Sequence, residues 1–121
     1  MLNKKMIDVN GVTIAVMQSD SLIINDVQSA LDLIGTLGFD DNCHRIAIYK
    51  EAIIDDFFKL STGLAGEILQ KFVNYRKKLA IIGDFSCYSS KPLKDFIYEC
   101  NRGNSIFFVA DEQQAVERLA K

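Results

Sequence analysis

"LAIIGD", residues 79 to 84, is four apolar residues closed by a glycine and an aspartate. A strand with one wet face alternates apolar and polar side chains, whereas a short continuous apolar run suits a strand covered on both faces. Parallel strands are covered this way, because the crossovers that join them lay helices on the sheet. The run therefore calls for a helix before it and another after it.

Both are present. Upstream, Leu64, Ile68, Leu69, Phe72 and Val73 fall on one helical face, and Arg76, Lys77 and Lys78 read as its last turn, where cations suit the helix dipole. Downstream, Leu93, Phe96, Ile97 and Cys100 make a second face, with Ser89 or Ser90 as N-cap, Pro92 in the tolerated first turn and Gly103 as the stop.

The same pattern extends outward. Residues 45–49, Arg-Ile-Ala-Ile-Tyr, read as a buried strand, and so do residues 105–109. Asp111 with Gln114 resembles a capping box before a last helix carrying Ala115, Val116 and Leu119. Toward the amino terminus, Val27, Ala30, Leu31 and Ile34 mark a first helix, with Asn25 or Asp26 as N-cap and Gly35 and Gly38 as C-terminal punctuation. Residues 6–9 and 12–17 are β-rich runs separated by Asn10-Gly11, the signal of a type I′ hairpin. The order is ββαβαβαβα. With right-handed crossovers it predicts an α/β fold whose sheet is mixed and mostly parallel, with an N-terminal antiparallel hairpin and packed helices.

Composition narrows the function classes. At 121 residues, 49% apolar and 25% charged, with one proline and seven glycines, the chain reads as one domain over residues 1–121 without a linker. Fourteen basic residues against sixteen acidic ones give a net charge of -2, which argues against a nucleic-acid partner. The opening Met1-Leu2-Asn3-Lys4-Lys5 precedes an apolar stretch broken by Asp8 and Asn10, too short for a signal peptide or a membrane span. A soluble cytoplasmic protein is expected.

Cys43, Cys87 and Cys100 are widely spaced and have one histidine, His44, for company, so no metal and no cofactor is expected. Cys43 and His44 are neighbours, and on a strand they point to opposite faces. Gly63-Leu64-Ala65-Gly66 lacks the dinucleotide glycine spacing, and "GDFSCYSSK" lacks the phosphate-loop Gly-Lys-Ser/Thr. Cys87 follows a strand as catalytic thiols do, but Leu93 stands six residues on where an arginine would serve, and Cys87 reads as a small buried or half-buried residue. Arg102 reads as a solvated cation at a helix end.

Ligand sites in open α/β sheets lie outside the carboxyl ends of the parallel strands. Those ends, with the start of the helix that follows, offer Asp55, Asp56, Gly63, Asp84, Ser86, Tyr88 and Lys91 as candidate binding residues. Before the second helix stands Ser61-Thr62-Gly63-Leu64, where either hydroxyl serves as an N-cap worth about 1 kcal/mol.

The run "TGLAGEILQKFVNYRKKLAIIGDFSCYSSKPLKDFIYECNRGNSIFFV", with "GVTIAVMQSD" and "ALDL", closely resembles the bacterial family known as domain of unknown function 4180. That resemblance spans nearly the whole chain and implies no activity. A weaker one follows from the element order, which is similar to the STAS fold of anti-sigma-factor antagonists. In that family an Asp-Ser-Ser/Thr-Gly-Leu motif opens the second helix, and Ser61-Thr62-Gly63-Leu64 occupies its place, with Leu60 where the family has aspartate. The resemblance implies a serine phosphorylated by a partner kinase, which makes Ser61 and Thr62 candidate switch residues. It implies a non-enzymatic, regulatory contact with a protein partner through residues 50–63 and 84–91. The alternative is a small-molecule site or enzyme on the same rim, with Asp56 and Asp84 as its acidic groups. The partner and the oligomeric state are not legible.

Overall fold

A computed structural model of the chain describes residues 2–40 and 42–121, so Met1 of the amino-terminal stretch lies outside it. The first two strands, β1 (Leu2–Val9) and β2 (Val12–Ser19), form an antiparallel hairpin. Asn10 and Gly11 turn it with φ of 53° and 82°, the two positive values a type I′ turn demands. The chain continues through α1 (Val27–Asp40), β3 (Arg45–Tyr49), α2 (Leu64–Asn74), β4 (Lys78–Ile82), α3 (Lys91–Arg102), β5 (Ile106–Val109) and α4 (Glu112–Leu119). Strands β2 to β5 pair in parallel, and the spatial order is β1-β2-β3-β4-β5.

Because the parallel strands lie side by side in chain order, crossovers of one hand bring α1, α2 and α3 to the same face of the sheet. The chain leaves β5 for the other face, which α4 covers. Strand β4 shows the consequence residue by residue. Leu79 and Ile81 pack with Leu37, Phe72 and Leu93 on the three-helix side, while Ala80 and Ile82 pack with Ala115 and Leu119 on the α4 side. All four are buried, which is why the run is continuously apolar.

Two carboxyl-terminal helix ends differ from the sequence reading. Helix α1 runs on through Gly35 and Gly38, and Gly38 sits against the ammonium of Lys77, where an added Cβ would lie 3.1 Å from Nζ. Helix α2 ends at Asn74, so Arg76, Lys77 and Lys78 do not form its last turn. Arg76 takes φ of 57°, its N–H bonds Val73 O, and the Lys77 N–H returns to Phe72 O at 2.8 Å. This is a Schellman cap with arginine in the left-handed position usually held by glycine. Lys78 opens β4, and Lys77 is buried.

The caps of α3 and α4 match the sequence. Ser90 accepts the Leu93 N–H, with Pro92 in the first turn of α3 and Gly103 at its end. Asp111 accepts the Gln114 N–H, and the Gln114 side chain reaches back to the N–H of Ala110. No helix of the described residues is long and apolar enough to cross a membrane.

Candidate functional site

The carboxyl ends of β3 and β4 carry the two loops that build the site. After β3 come three short 3₁₀ turns, Lys50–Ala52, Asp55–Phe58 and Leu60–Thr62. The first is tied to residues 23–24 by the N–H groups of Ile23 and Ile24 on Ala52 O and by a bridge between Ile24 and Ile53. The second is anchored by Phe57 and Phe58, both buried, which leaves Asp55 and Asp56 exposed. Asp56 pairs with Lys59 at 3.6 Å.

The third turn delivers the chain to α2. Its N-cap is Gly63, with φ of 77° and no side-chain cap bond, rather than Ser61 or Thr62. The Thr62 hydroxyl instead lies 2.9 Å from Asp56 O and 2.8 Å from Lys59 O as a donor, and it accepts the Leu64 N–H at 3.2 Å. Thr62 therefore locks the last two turns onto the helix. Ser61 is exposed, and its hydroxyl has no hydrogen-bond partner among the described residues.

After β4, Asp84 accepts from the Ser86 hydroxyl at 2.6 Å and the Ser86 N–H at 2.9 Å. These bonds hold its carboxyl below the ordinary aspartate range. Asp56 and Asp84 thus each have their own neighbour, and no hydrogen bond joins them. Tyr88 turns inward and stacks on Phe58 with 5.4 Å between ring centroids. The Lys50 ammonium donates to its hydroxyl at 3.4 Å and lies 5.2 Å from its ring centroid. Burial opposes the charge on Lys50, but the Tyr88 hydroxyl and the acidic groups around it hold its pKa above the ordinary lysine value. Cys87 is exposed, not buried or half-buried as its sequence context suggests, because Tyr88 takes the inward place in the turn.

Between residues 55–61 and 87–92 the two loops leave an open cleft of about 620 Å³. Its floor is Phe58 and Tyr88, its walls include Leu60 and Pro92, and Asp55 and Ser61 stand on its rim. Of the candidate residues, the cleft brings together Asp55, Ser61 and Tyr88. Asp56, Thr62, Gly63, Asp84, Ser86 and Lys91 lie outside its lining, and Lys91 pairs with Asp95 along α3 at 2.8 Å. Phe58 has no place in the sequence reading, and Leu60 and Pro92 enter it only as a departure from a motif and a helix-start residue; the Phe57-Phe58 pair between Asp55-Asp56 and Lys59 is the available signal, an apolar anchor inside a polar loop. Among the described residues no three His, Cys, Asp or Glu side chains gather as a metal site would require.

The family model described as Domain of unknown function (DUF4180) matches residues 9–119. The chain belongs to this family. The match runs from the end of β1 to the end of α4, so every residue lining the cleft falls within the family's extent. No curated protein matches the chain.

Proposed function

We propose that the chain is a cytoplasmic, STAS-like regulatory domain that binds a partner protein in the cleft between residues 55–61 and 87–92. One observation carries this reading: an aromatic floor, Phe58 on Tyr88, lies under an open polar rim that bears the unengaged hydroxyl of Ser61. An aromatic centre with a polar surround is the make-up of a protein-binding hot spot. Phosphorylation of Ser61 would add nearly two negative charges beside Asp55, favourable to the start of α2 and repulsive to an acidic partner surface. Thr62 is the weaker switch residue, because its hydroxyl is spent on the turn.

The test is recovery of a partner from the native host with the intact chain as bait. Wild type and Ser61→Ala should retain one defined partner, and Ser61→Asp and Tyr88→Ala should lose it while their circular dichroism stays unchanged. Equal recovery by all four sinks the proposal.

A small-molecule reading draws on the cleft's size, which falls in the ~300–1,000 Å³ range of ligand sites. A strong single hit in a thermal-shift screen of nucleotides and metabolites, abolished by Tyr88→Ala, would favour it over partner binding.

A further inference from the structure

The opposite end of the sheet, where β3 and β4 begin, holds a second cavity, of about 500 Å³, with a buried cation at its base. Lys77 is only 7% exposed. Its ammonium lies 2.5 Å from His44 Nδ1, and both residues line the cavity together with Gly38. An ammonium has three N–H donors. One goes to the imidazole, which as the acceptor carries its own proton on Nε2. The described residues give Lys77 no carboxylate partner. A buried cation without an anion is costly, so its retention calls for a compensating group.

The surroundings favour this placement of the cation. Gly38 is a poor residue for a helix interior, yet a side chain there would press on Nζ at 3.1 Å. The walls are apolar: Leu31, Ile34, Phe39 and Tyr75, with Phe39 88% and Tyr75 58% exposed. One cation, two unspent donors and an apolar wall match a single negative charge on an apolar body. A phosphate dianion would need more donors than this site offers.

We propose that this cavity binds a small monocarboxylic acid with an apolar tail, its carboxylate on Lys77 Nζ and its tail against Leu31, Ile34, Phe39 and Tyr75. The site is separate from the Phe58–Tyr88 cleft and does not rest on the partner-binding reading.

The probe is sodium octanoate, titrated into the full chain by calorimetry and by NMR of the ring of His44, the single histidine. Octanoate should bind one to one and shift the His44 ring signals, with acetate and 1-octanol at least tenfold weaker. Lys77→Met should weaken octanoate at least tenfold. Gly35→Leu, at a cavity-lining position where an added Cβ meets nothing within 4 Å, should fill the space and abolish binding without loss of fold. Equal binding of octanoate and 1-octanol would show an apolar face only and overturn the proposal. So would an unmoved His44 signal or unchanged affinity in Gly35→Leu, which decides the matter if Lys77→Met fails to fold.

Discussion

Lys50 lies over Gly83. A Cβ at position 83 would come within 2.5 Å of Lys50 Cδ and 2.7 Å of Cγ, and from this seat the ammonium reaches Tyr88. The glycine at the end of β4 thus lets the loop after β3 close on the loop after β4. Gly83→Ala should cost about 1–3 kcal/mol, the range for forcing extra volume into a packed site. In a Lys50→Ala background, where the obstructing stem is gone, the same change should cost less than about 0.5 kcal/mol. Urea unfolding of the four variants measures the coupling, and simple additivity would contradict the contact.

Ser61 and Thr62 are neighbours with different roles. Thr62→Val removes the hydroxyl that binds Asp56 O, Lys59 O and Leu64 N and should destabilise by about 1 kcal/mol. Ser61→Ala removes an exposed hydroxyl without a partner and should stay within about 0.5 kcal/mol of wild type. Denaturant midpoints compare the two directly. A larger loss at Ser61 than at Thr62 would mean the turn is held differently.

The sheet was legible because its signals are local: the apolar run at 79–82, the Asn10-Gly11 turn, and caps at Ser90 and Asp111 all act within a few residues. The carboxyl-edge location of the cleft was legible for the same reason, since it follows from strand direction. What escaped depends on distant partners. Gly38 reads as a helix stop until Lys77 is seen against it. Arg76 in a left-handed cap carries no glycine to announce it. Asp56 and Asp84 share a rim in the sequence reading, but each is drawn to a near neighbour, Lys59 or Ser86, and only packing brings Phe58 onto Tyr88.

The outer edge of β5 is covered by a side chain. Asn101 of α3 accepts the Phe108 N–H at 2.7 Å and donates to the Phe108 carbonyl at 3.1 Å. Its amide does for one residue what a further strand would do and shields an edge otherwise open to pairing. Asn101→Ala should cost about 1–3 kcal/mol by leaving both backbone groups without their partner. It should also raise the tendency to associate. Light scattering during thermal unfolding checks the second effect, and urea midpoints the first. Asn101→Asp, which keeps the acceptor but sets a carboxylate oxygen against the Phe108 carbonyl, should cost at least as much as Asn101→Ala near neutral pH.

Glu112 joins three elements, accepting from Lys5 of β1 at 2.6 Å and from the Tyr49 hydroxyl of β3 at 3.1 Å. The Lys5 bond, assisted by Tyr49 and opposed by burial, holds its carboxyl below the ordinary glutamate range. A depressed carboxyl binds fewer protons when folded. Its stabilisation is complete above the unfolded value of about 4.3 and is lost as pH falls through the lower folded value. Tyr49 runs the other way: burial first, then the bond to Glu112, raise its pKa, so its part is lost only as pH climbs above about 10. Glu112→Gln should therefore be less stable than wild type by up to about 1 kcal/mol near neutrality, as suits a partly exposed pair. The gap should close as pH falls below the glutamate range. Urea midpoints from pH 2.5 to 7 read the difference. A gap that stays constant across that window would assign the loss to packing rather than to the charge.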